Sequence, residues 1–300
     1  MRFSLLVASR DRPAELSRCV ASAARQQGVE AEIVVLDDAS ATPVARDRLD
    51  AGRFPLRLIR SETRLGVGAG RNRLMEEAAG DVFVVLDDDA FFIDDGALRR
   101  LAAALEFFPE AGLFALKIRD FRHGRERWLT PHPRRRQTSD LLAQSHRVSY
   151  FLGGAHALRR EVLERCGPYP TSYVYGNEEL DLSFRAIQHG FEIVFLADVE
   201  VHHRPPPDEP PGAGEYGERL YHHTRSRLLL AHAHLPAHRA TVYSLGWMAV
   251  YGVRALRHGA AGAFASAVRD AWRMGRHVPR EPIGRAAIAY LRAHFGRLWI

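Results

Sequence analysis

Through the first ninety residues, short apolar runs end in charge and alternate with stretches whose apolar positions recur every three or four residues. Phe3 to Ala8 is the first run, and it predicts a buried strand. From Pro13 to Gln27, Leu16, Val20, Ala23 and Ala24 are spaced as on a helix face, and Gly28 stops the pattern. Glu32 to Leu36 and Leu56 to Arg60 predict two more strands, Gly70 to Ala79 a helix closed by Gly80, and Val82 to Leu86 a fourth strand. Strand and helix in alternation predict an α/β fold with a mainly parallel central sheet flanked by helices. In such sheets ligands bind beyond the carboxyl ends of the strands. Ser9, Asp38 and the run Asp87-Asp88-Asp89 all stand at predicted strand ends, so one crevice could gather them.

Farther on, Asp94 to Phe108 predicts a surface helix. Residues 120 to 146 are polar, rich in arginine and broken by Pro131 and Pro133, which predicts a long loop over the crevice. Apolar character returns from Val148 to Leu158. Glu179 to His189 predicts a helix with Leu180, Phe184 and Ile187 on one face, followed by a strand from Phe191 to Leu196. The proline-rich segment 205–211 predicts an extended linker. It divides a catalytic domain (1–204) from a helical C-terminal extension (212–300).

Composition narrows this little. The 300 residues are 46% hydrophobic and 26% charged, an ordinary globular balance that excludes a disordered chain. Cys19 and Cys166 are too far apart for a paired-cysteine motif, which excludes a disulfide framework and a thiolate zinc site. The apolar stretch at the start is only Leu5 to Ala8, with Arg10-Asp11-Arg12 close behind, so a cytoplasmic location is expected. A net charge of +6 suits phosphorylated ligands, anionic lipid or nucleic acid, and equally a solvated arginine-rich surface.

The candidate chemistry is acidic. Three adjacent carboxylates at Asp87-Asp88-Asp89 repel one another, and a divalent cation would relieve them. Aspartate oxygens suit Mg²⁺ or Mn²⁺ shared with substrate phosphates, although an acidic helix cap would look the same. Either His202 or His203 could add a nitrogen ligand, with His203 the choice beside Asp87 and Asp89. Asp37-Asp38-Ala39-Ser40 ends another strand, where a carboxylate could accept from a ribose or a base, or simply cap a helix. Glu178 and Glu179 begin a helix, where the dipole favours negative charge, and one of them could act as a general base toward an acceptor hydroxyl. Asp181 is a third candidate, although its spacing from Arg185 suits a surface ion pair. Leu65 to Asn72 carries three glycines, but spaced GxGxG and not after the first strand, which argues against a dinucleotide fingerprint. A glycine-rich approach to a helix carrying Arg71 could still lie near a diphosphate.

In this order the pieces resemble glycosyltransferase family 2, whose members have the GT-A fold. Val7 to Pro13 resembles that family's opening strand and turn, Asp37 to Ser40 its "DDxS" turn, and Gly70-Arg71-Asn72 its "A-R-N" helix, with glycine for alanine. Asp87 to Asp89 resembles the DxD metal motif, Gly153-Gly154 with Arg159-Arg160 the acceptor-side segment, and Glu178 to Leu182 the "E-D-x-D-L" motif. The likeness spans roughly residues 3 to 230, and it implies a nucleotide-sugar donor side over roughly 1–117 and an acceptor side over roughly 118–204. It implies an inverting, metal-dependent hexosyl- or deoxyhexosyltransferase using Mn²⁺ or Mg²⁺ and a UDP-, GDP- or dTDP-sugar, with a carbohydrate or lipid-linked acceptor and a role in cell-surface polysaccharide or glycolipid synthesis. It also implies that Ala8, Ser9, Arg10, Asp38, Arg71, Asp87 and Asp88 line the donor, and that Glu179 stands where the family commonly has its catalytic aspartate. Arg225-Ser226-Arg227 resembles an "R-N-R" element of some members, with serine for asparagine.

Rival readings are a nucleotidyltransferase, a non-catalytic relative and a nucleic-acid-binding protein. The first would be expected to carry an early glycine-rich phosphate loop with a lysine, yet the chain's one lysine is Lys117. The last lacks an identifiable reading module, so no nucleic-acid partner is expected. Thr241 to Leu256 is mostly apolar and closed by Arg254 and Arg257. It is shorter than the ~20 residues of a spanning helix. It suits either peripheral contact with the inner face of a membrane or packing on the catalytic domain.

Overall fold

The computed structural model describes residues 1–133, 136–173, 176–205 and 213–296. The linker expected at 205–211 lies outside the described residues except for Pro205. The chain opens with β1 (Arg2–Ser9), α1 (Pro13–Ala24), β2 (Glu30–Asp38), β3 (Leu56–Ser61), α2 (Val67–Glu77) and β4 (Val82–Asp87). β1 and β2 are buried along almost their whole length on both faces, which is why their sequences run apolar without alternating. α1 begins on Pro13, whose missing N–H costs nothing in a first turn, and buries Leu16, Cys19, Val20 and Ala23.

Next come β5 (Ala90–Phe92), α3 (Ala97–Phe107), β6 (Ala111–Asp120), β7 (Arg127–Leu129), the single turn α4 (Ser139–Leu142), β8 (His146–Val148), β9 (Ala155–Arg159), α5 (Arg160–Cys166), α6 (Glu178–Gln188) and β10 (Glu192–His203). Four helices follow: α7 (Ala213–His234), α8 (Ala237–Arg257), α9 (Ala261–Gly275) and α10 (Arg285–Ala293). The sheet runs β3-β2-β1-β4-β9-β6-β10-β5. Its first four strands are parallel, β9 is antiparallel to both β4 and β6, and β10 returns parallel to β6. The α/β class expected from sequence stands, with a sheet that is mixed because β9 and the short strands β5, β7 and β8 pair antiparallel.

The chain lays β2 and β3 on one side of β1 and then crosses to put β4 on the other. This switch opens a crevice beyond the strand ends. The register aligns those ends, with Ser9 opposite Asp37 and Ala8 opposite Asp87. Alternate residues feed two cores: Phe3, Leu5 and Val7 pack with α1 and α3, while Leu6 packs on the other face with α2, α5 and α6. Leu229, Leu230, Tyr243, Ala271 and Leu291 of the last four helices belong to that second core.

Two expectations change. The polar stretch 120–146 contains β7, α4 and the start of β8, and its residues Arg127 to Leu129 pair antiparallel with β6. The strand expected over 191–196 runs on to His203, because pairing with β6 resumes at Glu200 after an irregularity beyond Leu196.

Candidate active site

Three adjoining cavities share Asp87. One of about 170 Å³ is lined by Ala8, Ser9, Arg10, Asp38, Arg64 and Arg71, among others. The next, about 510 Å³, is lined by Asp87, Asp88, Asp89 and His203, with Arg12, Arg64, Arg122 and Arg219 around them. The third, about 380 Å³, lies among Gly153, Asn177, Glu178, Glu179, His223 and Arg227. Together they make a cleft across the carboxyl ends of β1, β2 and β4.

The three adjacent aspartates divide the work. Asp87 ends β4 with its carboxylate 44% exposed to the cleft. Asp88 turns back, accepting from Ser9 Oγ at 2.7 Å and Arg12 at 3.2 Å. Burial pushes its carboxyl up to about 6, more than Ser9 and Arg12 can offset. Asp89 is buried; Oδ2 accepts from Arg12 at 3.1 Å. Its Oδ1 lies 3.1 Å from His203 Nε2, off the line of a hydrogen bond and without another partner. Burial works to raise the Asp89 carboxyl, but His203 and Arg12 outweigh it and hold it low.

His203 comes from the far end of β10. Its Nδ1 sits 2.8 Å from Asp120 Oδ1, a fully buried carboxylate that also accepts from Arg127 at 2.9 Å. Burial alone would lower the imidazole, but Asp89 and Asp120 drive it up to about 9. An imidazole that donates from one nitrogen to a carboxylate presents the other in a fixed direction, as metal-ligating histidines do. Ligand atoms of Asp87, Asp89 and His203 all lie within 4.8 Å of one another. Two carboxylates and one imidazole fit a divalent cation in this pocket, and Asp89 Oδ1 faces only His203.

Arg71 of α2 joins the end of β4 to the helix α6. It donates to Glu178 Oε1 at 3.2 Å and to the Gly153 carbonyl at 3.0 Å, and stands 3.5 Å from Asp87 Oδ1. Burial would lower the guanidinium, but Asp87 and Glu178 raise it. Its charge is thus spent within the protein rather than held free for a diphosphate. Of the glycines before it, Gly68 serves packing, since a Cβ there would stand 2.9 Å from the Pro170 carbonyl oxygen, and Gly66 takes a positive φ of 80°.

Asp38 accepts from the backbone N–H of Leu65 at 2.6 Å and of Gly66 at 3.1 Å, fixing the approach to α2 while it lines the first cavity. Asp37 has a structural part instead, binding Ser40 and Val44 N–H groups and Arg60.

At α6 the three candidate acids separate. Asn177 leads in with a left-handed φ of 75°. Glu178 is buried, with one oxygen on Arg71 and Oε2 unpartnered. Glu179 is half-buried and faces the third cavity. Burial raises its carboxyl, and the neighbouring Glu178 raises it further against the pull of Arg71. Asp181 does not join them. Its Oδ1 takes Arg185 at 2.7 Å and its Oδ2 takes His234 Nε2 at 2.7 Å, tying α6 to α7. Both its oxygens are thus engaged, and Asp181 is not among the residues that line the third cavity.

Sequence reasoning missed Asp120, read as loop, and the cleft residues of α7: Arg219, His222, His223 and Arg227. The paired histidines and the Arg225-Ser226-Arg227 element were the only local signal.

A family model described as glycosyl transferase family 2 matches residues 4–167. Uncharacterized protein MT1568 of Mycobacterium tuberculosis (strain CDC 1551 / Oshkosh) is 36% identical over 100 residues, 33% of this chain and 31% of that one. Uncharacterized glycosyltransferase YwdF of Bacillus subtilis (strain 168) is 30% identical over 106 residues, 35% of this chain and 39% of that one. The matches therefore span about a third of these relatives. Among solved structures, S. aureus TarS 1-349 in complex with UDP-GlcNAc superposes with a TM-score of 0.56 at 17% identity, over 89% of this chain and 82% of that one. The mannosyltransferase PcManGT from Pyrobaculum calidifontis, in complex with GDP-Man and Mn²⁺, gives 0.54 at 17% identity, over 97% and 78%. At such identities the likeness is one of fold.

Proposed function

This chain belongs to glycosyl transferase family 2, and from that premise we propose that it is an inverting, metal-dependent sugar transferase whose centre is the Asp87–Asp89–His203 group facing Glu179. The observation that carries the reading is the convergence of Asp87, Asp89 and His203 ligand atoms within 4.8 Å of one another, with the histidine oriented by Asp120. Asp87, Asp89 and His203 would hold the cation, and the imidazole nitrogen favours Mn²⁺ over the harder Mg²⁺. When bound, that ion offsets charge developing on the leaving diphosphate. Arg12, Arg64, Arg122 and Arg219 add fixed positive charge around the same cavity. Asp38, Ser9 and Arg10 are assigned to the nucleoside end. Glu179 takes the proton of the acceptor hydroxyl as its oxygen bonds to the anomeric carbon; the bond to the diphosphate breaks and its electron pair leaves with the nucleotide. TarS with UDP-GlcNAc and PcManGT with GDP-Man and Mn²⁺ support a nucleotide-sugar donor and a divalent cation.

Thermal shifts with UDP, GDP and dTDP, with and without Mn²⁺ or Mg²⁺, test this. Ligand at a hundred times its dissociation constant should stabilise the fold by about 2.7 kcal/mol. One nucleotide should shift the wild type only with metal, and Asp89→Ala should lose that shift. No metal-dependent shift with any nucleotide would remove the donor site from this reading.

We also propose that the acceptor is met at a membrane surface. Val242, Leu245, Val253 and Leu256 form an exposed stripe on α8, the last of them 76% exposed, next to Arg254 and Arg257. Among the described residues no helix is long and apolar enough to cross a membrane, so contact would be interfacial. The chain should sediment with phosphatidylglycerol-containing vesicles at low salt, and Leu245→Glu with Leu256→Glu should abolish this. Equal retention by phosphatidylcholine vesicles or by the double variant would refute the contact.

A further inference from the structure

Beside Glu179, the third cavity is lined by polar groups that the protein leaves incomplete. Arg227 of α7 is 7% exposed, and its Nε has no hydrogen-bond partner. Its guanidinium carbon lies over Trp247, 4.0 Å from the ring centroid, and Nη1 donates to Tyr243 Oη at 2.8 Å. Among the described residues it makes no ion pair with a carboxylate. Asn177, 6% exposed, brings a second unpartnered donor, Nδ2, to the same cavity. Glu178 Oε2 is unpartnered there too, but its other oxygen is already held by Arg71, so it neutralises a different cation.

A buried guanidinium without a counter-charge is costly, and so is a buried donor without an acceptor. Trp247 and Tyr243 hold Arg227 in place by stacking and one hydrogen bond, which fixes its position and leaves its charge unanswered. The arginines around the Asp87–Asp89–His203 group are different residues lining a different cavity, so the donor's diphosphate already has its own positive surroundings. A ligand oxyanion entering between Arg227 and Asn177 would satisfy both orphaned donors at once. Tyr150, Phe151 and Leu152 offer the apolar wall against which a sugar ring packs.

We propose that this cavity is an acceptor subsite selective for a sugar that carries an oxyanion, either a carboxylate or a phosphate, with Arg227 and Asn177 as its specificity-determining residues. The inference rests on the transferase reading and deepens it. It explains why α7 folds over the cleft: the helix brings the anion-recognising cation to within one cavity of the base.

The test is an NMR titration of methyl β-D-glucuronide, methyl β-D-glucoside 6-phosphate and neutral methyl β-D-glucoside, each with and without nucleotide and Mn²⁺. At least one anionic sugar should bind about tenfold more tightly than the neutral one, the worth of one charge-assisted hydrogen bond. Which anion wins identifies the substituent. Arg227→Gln should remove the gap, Arg227→Lys should keep most of it, and both should retain the metal-dependent nucleotide shift, which also shows that they fold. Three sugars bound alike, no saturable binding of either anion, or a gap that survives in Arg227→Gln would overturn the subsite. So would Arg227→Gln weakening the nucleotide more than the anionic sugar, since Arg227 would then serve the donor. Loss of nucleotide binding in the wild type would count against the transferase reading alone, because the sugar titrations without nucleotide report on the cavity independently.

Discussion

Glu179→Gln is expected to lower nucleotide-sugar turnover by about 10² to 10⁴, the usual worth of a positioned general base. The amide keeps the size of the carboxylate and loses its ability to take a proton. Glu179 is half-buried on the cleft, and burial together with Glu178 makes it a stronger base than a free carboxylate. Because a base serves water as well as a sugar hydroxyl, release of nucleoside diphosphate from the donor, measured without acceptor, reports the step. The metal-dependent thermal shift should remain, since Glu179 is not among the Asp87, Asp89 and His203 group. Glu178→Gln makes the contrast. Glu178 is held by Arg71 in the interior, so its loss should appear first as a lower melting temperature. Wild-type turnover in Glu179→Gln alongside collapse of turnover in a stably folded Glu178→Gln would transfer the role of base to Glu178.

That pair shows where sequence legibility ends. The helix beginning at Glu178 was legible from its apolar spacing, but neighbouring helical positions point about 100° apart. Which of two adjacent glutamates faces a cleft depends on how α6 packs, and packing is not written locally. The strands were legible because β1, β2 and β4 are buried on both faces and end abruptly in polar residues, β1 in Ser9 and β2 and β4 in aspartate. Asp87, Asp89 and His203 were nominated by residue type, and the sheet brings them together through the return of β10 beside β6. Asp120 was not legible, because β6 and its neighbour β7 lie in or beside a stretch whose prolines and arginines read as loop. Asp181 illustrates the reverse. Its i,i+4 partner Arg185 was visible in the sequence, whereas His234, 53 positions away, is brought in only by α7. Arg71 had no usable local signal for its real part, since its three partners come from β4, the β8–β9 connection and α6.

Gly153→Ala should leave a folded protein with turnover reduced about a hundredfold, the cost of displacing reacting groups by roughly an ångström. A Cβ at this position would meet Glu179 Oε1 and would stand 2.7 Å from an Arg71 nitrogen. Both obstacles are the ends of flexible side chains, so the fold can yield, at a cost of about 1–3 kcal/mol for the extra methyl group. What must move, however, is the proposed base and the arginine that links the neighbouring Glu178 to Asp87. Gly262→Ala in α9, where a Cβ meets open space, is the control and should change neither stability nor turnover much. The sharper check is the double variant Gly153→Ala with Glu179→Asp. Aspartate is one methylene shorter and withdraws the clashing oxygen, so the two losses should combine to less than their sum. Full additivity, measured as nucleotide release, would mean that Gly153 and Glu179 do not compete for the same space, and the close approach drawn between β9's entry loop and α6 would be wrong.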